Sequence, residues 1–474
     1  MPLQKNQVLT LRVERLSSDG SGVAHSPDGE TVFIPGAAPG DEARVRIVKD
    51  CKRYAFGILD EVLTPSPDRI PVDCAVAGPC GGCSLRHLDY AAELRAKQEN
   101  VADAFARIGG LDVPVLPIVG SPEVNRYRNK VQFPVGVDKS GKPCIGFYAG
   151  RTHRIVPCPD CRLQPGVLNE IGNALCAFFA EKGIQPYSEE TGRGLVRHIF
   201  LRRGAHSGQI MVCLVCTCAK LPCAEELCTR LKAQFAEITT ILLNVNAKNT
   251  NVILGTETHT LYGQGYIEDT LCGVPVQLGP LSFYQVNTLA AEQLYGIAAQ
   301  YAQLTPDDLL LDLYCGMGTI GLSMAAHCRE LIGVEIVPEA IESAKANAAR
   351  MGTDVAAKSR FFCADAGQAA TRLAAEGLHP DIVMLDPPRK GCDEATLSAV
   401  VRMSPRRVVY VSCNPATAAR DAAWLEQNGY HAEKVQPVDL FPRTRHVETV
   451  VLLSKGEVDS KKIRVEFSLE DMDM

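Results

Sequence analysis

A cysteine and a glutamate near the carboxyl end of the chain have the types needed for covalent chemistry on a pyrimidine ring. Cys413 follows the apolar run RVVYVS, and Glu448 lies two residues after His446. A thiolate adds well to C6 of a pyrimidine, and the addition makes C5 nucleophilic. A general base must then remove the C5 proton before the thiol can leave. We expect Cys413 to be this nucleophile and Glu448 the base, with His446 positioning it; the competing interpretation of Cys413 is a buried strand-end thiol.

The segment from Asp386 to Cys392, DPPRKGC, offers another acceptor chemistry and another thiol. Enzymes that methylate the N6 amine of adenine carry a similar Asp-Pro-Pro, followed by an aromatic residue that stacks on the base. Arg389 stands at that position, which argues against an amine acceptor. Cytosine-5 enzymes place a cysteine directly after the proline, whereas Cys392 comes later, so we interpret Cys392 as incidental.

Carboxylates follow the predicted parallel strands that precede Cys413. The run DLYCGMGTIG at residues 312–321 follows an apolar strand, and its glycines let a ligand approach the backbone closely. Glu335, Asp365 and Asp386 end the next strands, at the edge where open α/β sheets bind ligands. An acid such as Glu335 can accept from two ribose hydroxyls, but so many carboxylates would repel a pyrophosphate. The pattern favours S-adenosylmethionine, with NAD as the weaker alternative.

The chain has 19 cysteines, an odd number that argues against a disulfide framework. Thiolates suit zinc or an iron–sulfur cluster. Spacing leaves two quartets open: Cys74, Cys80 and Cys83 with Cys161, or a zinc ribbon of Cys80 and Cys83 with Cys158 and Cys161. A further group lies in the apolar run QIMVCLVCTC, for which we expect buried strand thiols: Cys213, Cys216 and Cys218.

These residues must be positioned by several domains, because 474 residues exceed the usual size of one. Residues 1–64 hold short β-rich runs between turns, which predicts a small OB-like β-barrel. Residues 65–265 alternate strands and helices and are expected to form a central mixed α/β domain. Residues 266–455 alternate apolar strands with helices, which predicts a Rossmann-like domain with a parallel sheet. Residues 456–474 are predicted to be an acidic tail.

The net charge of −6 argues against a protein that coats nucleic acid by bulk charge, but basic clusters occur locally. Residues 120–165 hold eight Lys and Arg against three acids, and residues 192–206 hold four Arg and no acid. This favours a polyanion partner. Candidate phosphate ligands are Arg126, Arg128, Lys130, Arg197, Arg202 and Arg203. The absence of a long apolar run and of a signal-peptide pattern leads us to expect a soluble cytoplasmic protein.

Five motifs resemble those of the RNA uracil-5 methyltransferases. They are DLYCGMGTIGL, DPPRKG, VSCNPAT, RTRHVETVVLL and, at residues 283–287, FYQVN. The run YRNK at residues 127–130 is similar to a pattern in the central domain of that family. The N-terminal barrel resembles the TRAM domain of the branch that acts on 23S ribosomal RNA. The resemblance covers roughly residues 8–453.

The resemblance implies roles residue by residue. Cys413 is implied to be the nucleophile, Glu448 the base, and Asp386 a hydrogen-bonding group between cofactor and flipped uracil. The S-adenosylmethionine pocket is implied to include Gln285, Tyr314, Thr319, Glu335, Asp365 and Asp386. The later cysteine of the ribosomal branch precedes a hydrophobic-Gln pair, here Leu163-Gln164, which selects a [4Fe–4S] cluster with the ligands Cys74, Cys80, Cys83 and Cys161.

The implied function is S-adenosylmethionine-dependent methylation of uracil C5 in 23S ribosomal RNA, on a flipped base. We expect a monomer that binds ribosomal RNA and no membrane. The same chemistry on tRNA is the first alternative; the barrel and the four cysteines favour ribosomal RNA, because the tRNA branch typically lacks both. The second alternative, a non-catalytic iron–sulfur RNA-binding protein, conflicts with the intact set Asp386, Cys413 and Glu448.

Overall fold

The computed structural model describes residues 3–150 and 152–456. Apart from Gly456, the predicted acidic tail therefore lies outside the described residues. In the part of the chain that the structure describes, every helix is too short or too polar to cross a bilayer. A barrel, a central mixed sheet and a C-terminal mixed sheet follow one another along the chain.

The N-terminal strands close into a five-stranded barrel in the order β1-β2-β3-β5-β4. The strands are β1 (Val8–Leu16), β2 (Gly22–His25), β3 (Thr31–Ile34), β4 (Glu42–Asp50) and β5 (Tyr54–Thr64). Apolar residues alternate with polar ones, so that Leu11, Val13, Val45 and Ile47 point into the barrel core while their neighbours face solvent. The predicted small β-barrel is confirmed.

The segment after the barrel is tied back to it. Arg69 donates to the fully buried carboxylate of Asp41, at 2.7 Å from Nη2 to Oδ2. Further along, Leu85 and Leu88 pack against Leu16 and the barrel loops. The stretch that directly follows the barrel therefore has a defined position, and it fixes the cysteine-bearing segment, residues 74–83, beside the barrel.

Helix α1 (Tyr90–Asp103) continues as a π-helical turn, Ala104–Ile108, and packs on the C-terminal sheet. Val101 and Phe105 belong to the same hydrophobic core as the C-terminal strands. The chain that follows, around Val115, makes a parallel bridge to Val435. Sequence patterning assigns this stretch to the central domain, but the structure packs it against the C-terminal one.

The central sheet has seven strands in the order β12-β11-β10-β9-β6-β7-β8, with only β10 and β11 parallel. Its elements are β6 (Lys130–Val137), β7 (Pro143–Tyr148), β8 (Ile155–Pro157), α2 (Gly166–Lys182), β9 (Val196–Arg203), β10 (Ile210–Cys216), α3 (Ala224–Gln234), β11 (Ile238–Val245) and β12 (Glu257–Tyr262). Cys213 and Cys216 are buried in β10 as predicted. Cys218 lies beyond the end of the strand and is exposed, so that prediction is wrong for this residue.

Two of the candidate phosphate ligands are not on the surface. Strand β9 lies between β6 and β10, which buries Arg197 and Arg202 at 5% and 1% exposure. The guanidinium of Arg197 donates to the carbonyls of Asn246 and Lys248. That of Arg202 donates to the carbonyls of Gly279 and Ser282. Both side chains are held by neutral backbone acceptors, so their prediction as RNA ligands is wrong.

The C-terminal region begins with the hairpin β13 (Ile267–Leu271) and β14 (Val274–Leu278). Its remaining elements are α4 (Thr288–Ala302), β15 (Leu309–Leu313), α5 (Thr319–Met324), β16 (Glu330–Glu335), α6 (Pro338–Arg350), α7 (Thr353–Lys358), β17 (Ser359–Cys363), α8 (Ala366–Ala375), β18 (Ile382–Leu385), α9 (Glu394–Met403), β19 (Arg407–Ser412), α10 (Pro415–Gln427), β20 (Tyr430–Val438) and β21 (Glu448–Lys455).

The C-terminal sheet runs in the order β17-β16-β15-β18-β19-β21-β20. The first five strands are parallel, as the alternation of strands and helices predicts, whereas β21 runs antiparallel to both of its neighbours. Reversal of β21 brings its amino end, which carries Glu448, to the edge where the parallel strands have their carboxyl ends. The site residues therefore meet at this edge.

Candidate active site

The turn after β15 owes its shape to its glycines and to one carboxylate. Gly316 and Gly318 adopt φ of 55° and 79°, which glycine reaches without steric cost. The carboxylate of Asp312 accepts the Gly321 N–H at 3.0 Å, and a Cβ at Gly321 would lie 2.8 Å from that same oxygen. The sequence DLYCGMGTIG thus folds into a tight strand-to-helix turn with room above it for a ligand.

Two acids follow β16 and β17 at the rim of this turn. Glu335 accepts N–H groups from Gly316, Ile336 and Val337, which holds its carboxylate in place and still leaves lone pairs free. Asp365 caps α8 by accepting from the Gln368 N–H. Both acids are exposed to one large cavity rather than to the core of the protein.

That cavity has a volume of about 810 Å³ and lies along the carboxyl edge of the sheet. Its wall includes all eight residues that the sequence assigns to catalysis and to the cofactor: Gln285, Tyr314, Thr319, Glu335, Asp365, Asp386, Cys413 and Glu448. Tyr314 adopts a φ of 66°, an unusual value for a residue with a Cβ. The tertiary structure thus brings together residues spread over 164 positions of the chain.

Three ionisable groups that line the cavity interact with one another. Burial raises the pKa of Glu448 to about 8, and the nearby carboxylate of Asp386 adds to that rise. Burial raises the pKa of Asp386 to about 7. Burial and then the carboxylates of Glu448 and Asp386 raise the pKa of the Cys413 thiol. Perturbed carboxylates beside a thiol in a cavity are typical of catalytic sites.

Sequence reasoning missed one residue of this group. Arg389 contacts the Cys413 thiol through its guanidinium, which opposes the rise in the pKa of the thiol and also of Glu448. The segment carrying it is fixed because its backbone carbonyl accepts from Asn414 Nδ2 and Thr417 Oγ1. The sequence signal for Arg389 is its position in DPPRKG, directly after the two prolines that follow Asp386. The comparison with adenine-N6 enzymes uses this position only to show that the residue is not aromatic.

His446 lines the cavity beside Cys413, but its surroundings keep it neutral. Burial, followed by repulsion from Arg389 and Arg445, lowers its pKa to about 4. Its ring packs edge-on against Phe441, with centroids 5.9 Å apart. His446 therefore forms part of the wall of the site as a neutral ring.

A second cavity, of about 600 Å³, reaches Cys413 from the barrel side. Its walls come from the loop after β1, the end of α1, the start of α10 and the segment before β21. Four arginines line it against two aspartates: Arg15, Arg107, Arg389 and Arg445 against Asp19 and Asp103. Cys413 is therefore accessible from a cofactor-sized cavity on one side and from a mostly basic cavity on the other.

The cysteine-rich segments form a separate cavity of about 270 Å³ in the central region. Its lining includes all five candidate thiols, Cys74, Cys80, Cys83, Cys158 and Cys161. Cys158 is in hydrogen-bond contact with Cys161, which raises the pKa of the first and lowers that of the second. Among residues 3–150 and 152–456, no group of three or more His, Cys, Asp or Glu converges closely enough to hold a metal ion.

The same cavity is lined by cations that sequence reasoning did not connect with the cysteines. Arg86, at 4% exposure, donates from Nη1 to Asp73 and Asn125. Its Nε and Nη2 are buried without a hydrogen-bond acceptor. Arg128, Lys130 and Arg162 complete a basic lining. Unpartnered buried donors next to thiols fit an anionic group more readily than an empty space.

Comparison of the sequence with known protein families and relatives supports a methyltransferase site at this position. The family profile described as tRNA (Uracil-5-)-methyltransferase matches residues 276–456, and the TRAM domain profile matches residues 2–59. A protein named as an uncharacterized RNA methyltransferase of Halalkalibacterium halodurans is 43% identical, aligned over 95% of this chain and 98% of the relative. This chain belongs to the RNA uracil-5 methyltransferase family. A similarly named protein of Clostridium tetani is 40% identical over 96% of this chain and 98% of the relative.

A solved structure with a similar fold supports the same family assignment. The tRNA (uracil-54, C5)-methyltransferase of Pyrococcus abyssi, solved with S-adenosyl-L-homocysteine, is 27% identical, with a TM-score of 0.74. The alignment covers 94% of this chain and all of that one. The chain is thus an S-adenosylmethionine-dependent RNA methyltransferase by family, with a TRAM barrel at its amino end.

Proposed function

We propose that this enzyme methylates C5 of uracil in 23S ribosomal RNA through a covalent bond between Cys413 and C6. The observation that carries the proposal is that Cys413, Asp386 and Glu448 line one cavity and interact electrostatically there. Neither an amine acceptor nor a simple binding protein requires a thiol and a buried carboxylate at the same point. Carbon 5 of uracil requires both.

The proposed reaction balances as follows. Cys413 Sγ, as thiolate, adds to C6, and the electron pair of the C5–C6 bond moves toward C5 and the O4 carbonyl. S-adenosylmethionine supplies an electrophilic methyl group to C5 and leaves as the neutral thioether. Glu448 takes the proton from C5, the C5–C6 double bond forms again, and the C6–S bond breaks to release the Cys413 thiolate.

The protonation states support this division of roles. Cys413 must lose its proton to attack, and Arg389 is the cation in contact with the thiol that favours the thiolate. Glu448 must be ionised to take the C5 proton. A carboxyl with a pKa of about 8 has the basicity of a proton acceptor that works near neutral pH.

We propose that the cofactor lies in the same cavity. Glu335 is fixed by backbone amides and has lone pairs free for ribose hydroxyls. Asp365 stands at the adjacent strand end, where an adenine amine could donate to it. The remaining cofactor-binding residues in this proposal are Gln285, Tyr314, Thr319 and Asp386. Asp386 would hydrogen-bond between cofactor and uracil.

The second cavity supports an RNA substrate. A uracil must leave its stack to reach Cys413, and the flanking backbone then needs a basic surface near the thiol. The arginines on the barrel side of Cys413 provide such a surface. Ribosomal RNA is proposed as the substrate on the grounds of the barrel and of the four cysteines.

Transfer RNA is the second candidate, and a specific observation favours it. The Pyrococcus abyssi tRNA enzyme aligns with 94% of this chain, too much to leave out the whole N-terminal barrel. A barrel of this kind therefore does not exclude a tRNA substrate. The chemistry at Cys413 is the same for both.

The deciding experiment offers anaerobically purified enzyme two RNAs in parallel, unmodified 23S ribosomal RNA and bulk unmodified tRNA, with methyl-labelled S-adenosylmethionine. Each RNA is then digested to nucleosides. We expect label in 5-methyluridine from ribosomal RNA. Label only in 5-methyluridine from tRNA would show that tRNA is the substrate and would leave the proposed C5 chemistry in place. Label in another nucleoside would overturn both the proposed substrate and the proposed chemistry.

We further propose that Cys74, Cys80, Cys83 and Cys161 bind a [4Fe–4S] cluster. The support is that the four thiols surround a cavity rather than converge on one point, since each thiolate of such a cluster binds a separate iron. The unpartnered donors of Arg86 suit the negative charge of a thiolate-ligated cluster. The cluster would then stabilise the fold rather than take part in methyl transfer. About four iron and four sulfide per chain would support the proposal, and stoichiometric zinc without sulfide would refute it.

A further inference from the structure

The loop between β20 and β21 is held by distant parts of the chain. In residues 439–447, which we call the 439–447 loop, the carbonyls of four consecutive residues, 440–443, accept hydrogen bonds from outside the loop. The carbonyl of Leu440 accepts from Asn287 Nδ2 at 3.0 Å, and that of Phe441 from Lys97 Nζ at 3.2 Å. The carbonyl of Pro442 accepts from the hydroxyl of Tyr127 at 3.0 Å. The loop thus has a defined path imposed by α1 and by the central region.

Arg443 is the residue of this loop with the most external contacts. Its carbonyl accepts from the N–H groups of Ser84 and Leu85, both at 3.1 Å. Its own N–H donates to Glu93 Oε1 at 2.7 Å, and its Nη1 donates to the carbonyl of Leu88 at 2.8 Å. All of these partners belong to residues 84–93, which directly follow Cys83. One short segment therefore fixes both the backbone and the side chain of Arg443.

The backbone conformation of Arg443 shows that the contacts determine it. Its φ of 69° lies in the left-handed region, which residues with a Cβ avoid unless their surroundings hold them there. The turn at Arg443 redirects the chain three residues before His446 and five before Glu448. A change of direction here moves the amino end of β21, where Glu448 stands.

We propose that Arg443 is a positioning residue. By fixing the 439–447 loop to residues 84–93, it directs Glu448 into the active site. The inference rests on the proposed function, in which Glu448 removes the C5 proton. Cofactor binding and the attack of Cys413 depend on other elements, the turns after β15 and β19. Loosening of the 439–447 loop should therefore impair proton removal more than any other step.

The test is Arg443→Gly, with Arg443→Lys as the conservative variant. Glycine adopts a φ of 69° freely, so the backbone path remains while the bond to Leu88 and the charge beside Glu93 are lost. We expect turnover on uridine RNA to fall about 10- to 100-fold, with KM for RNA within about threefold. Affinity for S-adenosylmethionine should stay within about twofold. Arg443→Lys should recover part of the loss.

RNA containing 5-fluorouridine isolates the step. Fluorine cannot leave as a proton does, so this RNA traps the methylated adduct after Cys413 has attacked and the methyl group has moved. Arg443→Gly should form the trapped adduct at a rate within about threefold of wild type. On ordinary uridine RNA, the same variant should accumulate a covalent methylated intermediate.

Several outcomes would overturn the inference. Turnover within twofold of wild type would show that Arg443 does not position the base. A parallel loss of turnover, trapping and cofactor affinity would indicate a general structural role. If Arg443→Gly does not fold, the same readouts apply to Glu93→Gln. This variant keeps an acceptor for the Arg443 N–H but removes the negative charge of Glu93. Arg372→Ala, an exposed arginine on α8, is the matched control.

The inference and the proposed function fail in different ways. If Glu448→Gln leaves turnover intact, Glu448 is not the base and both are overturned. If Glu448→Gln stalls at the covalent adduct while Arg443→Gly behaves as wild type, only the inference is overturned.

Discussion

The cavity that we assign to the cofactor and the cavity of the cysteine-rich segments are both lined by cysteines, but the charged groups beside the thiols have opposite signs. Cys413 shares its cavity with Asp386 and Glu448, whose negative charge raises the pKa of the thiol. Cys83 shares the other cavity with Arg86, whose positive charge counteracts the effect of burial on the pKa of the thiol. The same side chain thus stands among proton-handling carboxylates in one place and among fixed cations in the other.

The charged neighbours of the two thiols suit them to different roles. A nucleophile needs neighbours that accept and return a proton during each turnover, and carboxylates with pKa values near neutral provide this. Permanent thiolate ligands need positive charge that stays in place, which arginine provides at any physiological pH. Residue type alone does not separate the two roles.

The largest expected effect comes from removing the nucleophile. Cys413→Ala should lower turnover by at least about 10³-fold, because C5 of uracil is not nucleophilic without addition at C6. Affinity for S-adenosylmethionine, measured by calorimetry, should stay within about threefold. Cys228→Ala is the matched control, since this buried thiol on α3 lines neither cavity that reaches Cys413. Methyl transfer by Cys413→Ala would remove the central proposal.

The next effect concerns the base. Glu448→Gln should lower turnover by about 10²- to 10⁴-fold, because an amide cannot take the C5 proton. Addition and methyl transfer should still occur, so a methylated covalent complex of RNA and enzyme should accumulate as a band of reduced mobility in a denaturing gel. A slow variant without any covalent complex would point to a different base.

A cysteine of the other cavity should give a different phenotype. Cys83→Ser should reduce bound iron from about four per chain to less than one, because an alkoxide is a poor ligand for iron in place of a thiolate. Affinity for S-adenosylmethionine should change by less than about threefold, since the two cavities are separate. Cys218→Ser, an exposed thiol near the end of β10, is the control. Unchanged iron content in Cys83→Ser would break the comparison.

The smallest effect is on stability as a function of pH. Burial raises the pKa of Glu448 from 4.5 to about 8, so the folded protein keeps a proton that the unfolded chain loses in this interval. Wild type should therefore lose stability relative to Glu448→Gln as pH rises from about 4.5 to 8, with no further change above that. In thermal scans, we expect Glu448→Gln to gain about 2–4 °C over wild type between pH 5 and 8. A constant difference in Tm across this range would show that Glu448 ionises as freely as an exposed acid.

Much of the fold followed from local pattern. Alternating apolar residues in strands such as Val8–Leu16 predict the barrel, and apolar strands followed by helices predict the parallel part of the C-terminal sheet. The glycines at 316 and 318 predict a ligand-binding turn, because few other residues adopt their φ. Such features depend on neighbours in sequence, so the sequence alone reveals them.

The errors came from contacts between distant residues. Arg197 and Arg202 resemble a surface cluster in sequence, but strands β6 and β10 pair on both sides of β9 and bury them. Helix α1 follows the cysteine segment in sequence, yet its apolar face finds its core among the C-terminal strands. Strand pairing and helix docking are not encoded in any single stretch of residues.

The groups needed for the chemistry, a thiol, several carboxylates and a glycine-rich turn, are visible in the amino-acid sequence. The position of Glu448 near the thiol depends on the tertiary structure, because β21 runs antiparallel and brings its amino end to the edge of the parallel strands. The tertiary structure also placed Arg389 against Cys413, and burial raised the pKa values of the carboxylates. The amino-acid sequence sets which groups can react. The distances between these groups and their burial set their pKa values and therefore the steps in which they can act.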